Sequence, residues 1–202
     1  MGSDRVTRGH GLLEPMLAKL RAKKANSLIS PAQRQGRILD FGCGSYPFFL
    51  SETQFAEKYG LDKMVDPAHP APGLDPAIRL QPFDTYASDH LPYDADHFDV
   101  VTMLAVFEHI RVDRLTRLIS DIHRVLKPGG AYIMTTPSGW TGPILSTLKT
   151  LRLVSPEEID EHEDSYSVAK IRPIMAQTPF APERTTFGHF ELGMNVWMRA
   201  IK

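Results

Sequence analysis

The sequence predicts a doubly wound α/β domain with a mostly parallel sheet, and three observations carry that prediction. Short apolar runs alternate with helix-patterned stretches at the spacing of βαβ units. The first run, Ile38-Leu39-Asp40-Phe41, leads into a glycine turn, Gly42-Cys43-Gly44, that opens a helix. The fourth, Phe98 to Ala105, is apolar on both faces, as a central parallel strand is.

The elements follow in order. Leu12, Leu13, Met16, Leu17 and Leu20 recur at helical spacing with Lys19, Arg21, Lys23 and Lys24 opposite, so Gly11 to Ser27 reads as an amphipathic helix with a basic face. Residues 1–30 are expected to pack on the core or cover the site, and residues 31–202 to form the main domain. Ile38–Phe41 is the first strand, and a helix runs from Pro47 to about Glu57, Pro47 standing in its first turn behind a Ser45 or Tyr46 cap. Lys58 to Asp62 makes a second strand. Pro67, Pro70, Pro72 and Pro76 then shorten or remove the crossover helix. Ile78 to Phe83 is the third strand, closed by Asp84. After the fourth strand, Leu115, Leu118, Ile119, Ile122 and Leu126 mark a helix from about Asp113 to Leu126, stopped by Lys127-Pro128-Gly129-Gly130. Ala131 to Thr136 is the fifth strand. Residues of about 139–166 interrupt the alternation as an insertion, within which Ser155-Pro156-Glu157-Glu158 carries a helix-start pattern. Val168 to about Ala176 is a further helix, and Arg184–Phe190 with Asn195–Ile201 reads as a closing antiparallel pair.

Composition narrows the function. With 23 Lys plus Arg against 24 Asp plus Glu, the net charge of −1 argues against a protein held to nucleic acid by bulk charge. A single cysteine excludes an internal disulfide and a cysteine-rich zinc site. No apolar run approaches the roughly 20 residues that span a bilayer, and the first residues lack a signal-peptide core. The expectation is a cytoplasmic protein with no membrane or nucleic-acid partner.

Three features around the glycine turn agree on an adenosine ligand. The turn joins strand to helix, so backbone can approach a ligand at the sheet's carboxyl edge. Asp62 closes the next strand 20 residues after Gly42, where an acid can accept the ribose hydroxyls; Asp66 is its rival. Phe83 and Asp84 end the third strand, placing an aromatic and an acceptor for adenine. Asp40 decides the rest of the ligand. A carboxylate pointing at the turn repels a pyrophosphate and welcomes the amino group of a methionine, and Pro47 stands where G-x-G-x-x-G/A needs a small residue. S-adenosyl-L-methionine fits; a nicotinamide dinucleotide does not.

These residues resemble the class I S-adenosylmethionine-dependent methyltransferases. The matching pieces are Ile38-Leu39-Asp40-Phe41-Gly42-Cys43-Gly44, Gly60-Leu61-Asp62, Phe83-Asp84, Leu91-Pro92-Tyr93 with Phe98-Asp99-Val100-Val101, Phe107-Glu108-His109-Ile110, and Arg124 to Gly130, in family order from about 37 to 137. The resemblance implies a Rossmann-like seven-stranded sheet with an antiparallel C-terminal pair, and methyl transfer to a nucleophile. It carries cofactor contacts onto Asp40, Gly42, Gly44, Asp62, Asp84 and Met103-Leu104-Ala105, and Cys43 in the turn and Phe83 beside Asp84 complete the expected cofactor-binding set. The chain departs from the family at Tyr46, where a third glycine is common, and in the missing crossover helix. Some O-methylating relatives hold a divalent metal near this segment; Ala105 offers no ligand, so no metal is expected.

A base is needed only if the acceptor must lose a proton. His109, just past the fourth strand, is the first candidate; the competing role for Glu108-His109 is to fix the turn. His162 is the second, inside an acidic run at 157–164 that is either a solvated lid helix or an acceptor lid, with His162 and Tyr166 facing inward in the latter case. Trp140, Trp197, Phe187 and Phe190 are pocket walls or core, and His123 is structural. The reading is methyl transfer to a small-molecule acceptor, with a hydroxyl oxygen the favoured nucleophile. The alternatives are N- or C-methylation, or a non-catalytic S-adenosylmethionine-binding sensor or partner subunit.

Overall fold

The computed structural model describes residues 14–69, 71–88, 90–138 and 166–202. Its elements are α1 (Glu14–Ser27), β1 (Arg37–Phe41), α2 (Phe48–Glu52), β2 (Glu57–Asp62), β3 (Ile78–Pro82), β4 (Phe98–Leu104), α3 (Val112–Val125), β5 (Leu126–Pro137), α4 (Val168–Met175), β6 (Thr185–Phe190) and β7 (Asn195–Ile201). The strands form one seven-stranded sheet in the order β3-β2-β1-β4-β5-β7-β6. β1 to β5 run parallel, and β7 pairs antiparallel with both β5 and β6.

Alternation along the central strands builds two cores. Leu39, Phe41, Val101, Met103, Tyr132 and Met134 pack with the apolar stripes of α3 and α4, and Ile38, Val100, Ala131 and Ile133 pack with α1 and α2. This is why the central strands read as continuous apolar runs. The strand direction then fixes the site. Asp40, Asp62, Phe83, Ala105 and Ser138 all stand at or just past the carboxyl ends of β1 to β5, so they gather along one edge.

Several boundaries differ from expectation for identifiable reasons. Two members of the leucine and methionine stripe of α1, Met16 and Leu20, do not dock, and Leu17 is half-buried. Met16 is 51% and Leu20 37% exposed, while Ala22 and Ala25 are buried, since only small side chains let α1 approach α2 and the sheet this closely. The α2 helix is five residues long and ends at Glu52, with Thr53 extended beyond it. Pro47 occupies the N-cap itself, with no side-chain cap from Ser45 or Tyr46; the Tyr46 carbonyl instead accepts the Phe48 N–H at 2.8 Å. Between β2 and β3 the described residues form turns and no helix, as the prolines require. β5 begins at Leu126, where α3 ends. Leu126 pairs with Phe98, the ladder slips, and pairing resumes at Val100↔Ala131. Gly129 and Gly130 exchange hydrogen bonds with the Lys202 backbone, both at 3.0 Å, so the glycines that stop the helix also extend the sheet.

Ala25→Leu is expected to destabilise the protein by about 1–3 kcal/mol through overpacking, whereas Met16→Ser with Leu20→Ser should shift stability by less than about 0.5 kcal/mol. Urea unfolding of the two variants checks this; a larger loss in the second than in the first would mean that the apolar stripe is the docking face after all.

Candidate active site

The glycine turn is folded by the strand next to it. The Leu61 carbonyl accepts the N–H groups of Gly42 and Cys43 at 2.7 and 3.3 Å. The Asp62 carboxylate accepts the Gly44 N–H on Oδ2 at 2.9 Å and the Met64 N–H on Oδ1 at 2.8 Å. A carboxylate has about four acceptor positions, so both oxygens retain capacity for a diol. Gly42 and Gly44 have φ of 77° and 72°, left-handed values that side chains disfavour. At Gly42 space is the second constraint, because a Cβ there would lie 2.3 Å from Cγ2 of Val106.

Val106 belongs to the segment that leaves β4. Ala105 precedes it at φ 54°, a strained value for a residue with a side chain, and its N–H donates to the Thr135 carbonyl at 2.9 Å. The β4 exit is thereby pinned to β5 and pressed onto the glycine turn. Met103 is fully buried, so only its backbone reaches the edge; Leu104 is half-buried. The Cys43 side chain likewise points inward, because Gly60 of β2 leaves room for its sulfur: a Cβ on Gly60 would meet Cys43 Sγ at 2.8 Å. Burial holds this thiol well above its ordinary pKa, and Asp40 and Asp62 push it further.

On the adenine side, the Phe83 ring lies edge-on to Phe41 with centroids 5.9 Å apart. Asp84 is exposed and spends Oδ1 on the Tyr86 N–H of its own turn, at 2.9 Å. Asp66, the rival acid, sits on an exposed turn four residues past the end of β2, occupied by the Ala68 N–H at 2.9 Å and the His69 ring at 2.8 Å. It borders an open cavity of about 380 Å³ behind the turn, floored by Leu74, Ile78 and Leu80.

Asp40 is a buried carboxylate with a displaced ionisation. It is 4% exposed at the end of β1. Among the described residues no cation pairs with it, and its one hydrogen bond is from the Thr102 hydroxyl to Oδ1 at 2.6 Å. Burial pushes its pKa up to about 7; the Thr102 bond opposes this and the Asp62 charge adds to it. An unpaired carboxylate beside two left-handed glycines and a diol-capable acid fits the charges of S-adenosylmethionine.

The acceptor side is less complete. His109 is half-buried in a 3₁₀ turn, Phe107–His109, with its N–H donating to the Val106 carbonyl at 3.0 Å. The buried Glu108 accepts the Thr136 hydroxyl at 3.0 Å, tying this turn to the end of β5. Tyr166 is buried, with its ring 4.8 Å from Phe107, and bridges Ser138 in register. His162, Trp140 and the acidic run 157–164 lie outside the described residues. Trp197 covers Gly188 on the sheet and receives Lys24 Nζ 4.5 Å from its ring centroid, and His123 packs on Phe180. No group of three metal-ligating side chains occurs among the described residues. Sequence reasoning misses Thr102, Val106 and Gly60. Thr102, a lone hydroxyl in the apolar run Val100–Leu104, is the one visible signal.

The sheet order, with its antiparallel β7, and the acid-flanked glycine turn define a nucleoside-cofactor α/β domain. A family model described as a methyltransferase domain matches residues 13–183, and the chain belongs to that family. The chain is 28% identical over 176 residues to a ubiquinone biosynthesis O-methyltransferase of Vibrio parahaemolyticus, covering 79% of this chain and 73% of that one. An S-adenosylmethionine-dependent methyltransferase from Mesorhizobium loti shares the fold at TM-score 0.64 and 19% identity, over 89% of this chain and 96% of that one. So does Haemonchus contortus phosphoethanolamine N-methyltransferase 2, at TM-score 0.62 and 16% identity, over 90% and 52%. The protein is a class I S-adenosylmethionine-dependent methyltransferase with S-adenosylmethionine as its cofactor.

Gly42→Ala is expected to weaken S-adenosylhomocysteine binding at least tenfold by calorimetry, since the new Cβ meets both left-handed strain and Val106; near-native affinity would show that the turn adapts. The pKa of Asp40 sets a pH dependence. In the unliganded protein the carboxyl ionises at about 7, against 3.8 in the unfolded chain, so the fold binds the extra proton between those values. Unliganded stability therefore falls as pH rises from about 4 to about 7 and then levels. Asp40→Asn should remove this fall, giving a higher melting temperature than the parent at pH 8 and an equal one near pH 4; parallel profiles would refute the assignment.

Proposed function

We propose that the enzyme transfers the methyl group to a hydroxyl oxygen of a small-molecule acceptor. The observation supporting this reading is the similarity to an O-methyltransferase across 79% of the chain. The unpaired Asp40 carboxylate supports placing the cofactor's amino group at the end of β1, with its ribose on Asp62 and its adenine between Phe83 and Asp84. The backbones of Gly42, Cys43, Gly44, Met103, Leu104 and Ala105 then border it.

S-adenosylmethionine, when bound, supplies a methyl group already activated on a sulfonium. What remains for the protein is alignment, exclusion of water and removal of the acceptor proton. Val106 packed on Gly42 fixes the distance between the glycine turn and the β4 exit, where the acceptor enters. His109, three residues farther on, is the base for an acceptor hydroxyl, and Glu108 bound to Thr136 holds the turn that carries it. His162 has the same proposed role from the insertion. An amine acceptor would need no such base once deprotonated, which is why the nucleophile decides His109's importance.

The test is production of S-adenosylhomocysteine, followed by mass spectrometry, across matched panels of hydroxyl, amine and carbon acceptors. Methyl ethers are the expected products; N- or C-methylated products alone would overturn the reading. Tight cofactor binding with no product from any panel would favour the sensor. His109→Ala is expected to lower kcat about 100-fold or more with unchanged affinity for S-adenosylhomocysteine; full activity would leave His109 only its part in the turn.

A further inference from the structure

We propose that Thr102 is a positioning residue for the cofactor: its hydroxyl orients the Asp40 carboxylate and favours the charged state that receives the cofactor's amino group. The inference rests on the proposed placement of that amino group at Asp40 and goes beyond it to a residue on a different strand.

The geometry is specific. β1 and β4 are parallel neighbours with Asp40 opposite Thr102, so both side chains leave the same face of the sheet. Thr102 is fully buried in the middle of β4. Its Oγ1 lies 2.6 Å from Asp40 Oδ1 and 3.3 Å from the Leu39 carbonyl. A hydroxyl carries one hydrogen, and the shorter contact to the charged acceptor is the one that takes it. Asp40 Oδ2 accepts no hydrogen bond among the described residues, so the Thr102 bond holds one oxygen inward and leaves the other for a ligand donor.

Chemistry gives the bond a second consequence. Desolvation opposes ionisation of Asp40, and the negative charge of Asp62 and the nearby Cys43 thiol offer no relief. Thr102 supplies the hydrogen bond that favours the carboxylate over the carboxylic acid. Its methyl is core; its hydroxyl is the only polar group that the apolar run Val100–Leu104 presents on its side chains. A purely structural role would be filled as well by valine, which has the same shape.

The experiment compares Thr102→Val, Thr102→Ser and Asp40→Asn with the parent, by calorimetric binding of S-adenosylhomocysteine from pH 5.5 to 8.5. The ionisation of Asp40 is followed in the unliganded proteins by difference infrared spectroscopy of its carboxyl band. Thr102→Val is expected to weaken binding about tenfold at pH 7, to move Asp40 ionisation to higher pH without ligand, and to regain part of the loss at pH 8.5. Thr102→Ser should bind within about twofold of the parent. Unchanged ionisation and affinity in Thr102→Val, or Thr102→Ser as impaired as Thr102→Val, would overturn the role of the hydroxyl. Asp40→Asn separates this from the reading beneath it: if that variant binds like the parent, the amino group does not sit on Asp40 and the cofactor placement fails. If it loses affinity while Thr102→Val does not, only the inference about Thr102 fails.

Discussion

Asp62 holds the site together. Its two oxygens clamp the N–H groups of Gly44 on the far side of the cofactor turn and Met64 on its own, while the carbonyl of Leu61 takes Gly42 and Cys43. Without those bonds, a turn with two left-handed glycines would have no reason to close over β2, and the end of β1 would point nowhere in particular. Because Asp62 is both the structural clamp and the acid proposed for the ribose, its loss affects the fold of the turn and ligand recognition together.

The clamp brings two carboxylates close in a poorly hydrated place. Asp62 is stabilised by backbone donors, but Asp40 has only Thr102, and its pKa moves up accordingly. The unliganded protein thus stores an unfavourable charge at the end of its first strand. A ligand with a positive amino group relieves it, which makes the same carboxylate a liability for stability and an asset for binding. The β4 exit follows from the same constraint. Val106 occupies the space that a side chain at Gly42 would need, so Ala105 bends into a left-handed conformation to put it there.

Much of this architecture is legible in the sequence. The strands of the core, the two antiparallel strands, the lack of a crossover helix among the described residues between β2 and β3, and the edge bearing Asp40, Asp62 and Ala105 all follow from apolar runs, prolines and glycines. Where the sequence misleads, long-range packing overrides local pattern. The leucines of Glu14–Ser27 suggest an apolar docking face, yet alanine is what the close approach to α2 permits. The helix after Tyr46 is shorter than its pattern suggests, because it ends where Thr53 meets Asn26 and Arg34, partners remote in sequence. β5 extends back to Leu126 because Leu126 pairs with Phe98 and the backbone of Lys202 pairs with the glycines that follow.

By itself the sequence determined the class of domain, the direction of its strands and the chemistry of its cofactor, since each rests on local periodicity or on residues that close successive strands. Tertiary structure decided which groups touch. Thr102 and Asp40 are 62 positions apart and meet only because β1 and β4 are neighbours in register. Gly42 is required by Val106, and the sulfur of Cys43 is turned away from the edge by the bare backbone of Gly60. Contacts between strands depend on register, and register is a property of the assembled sheet.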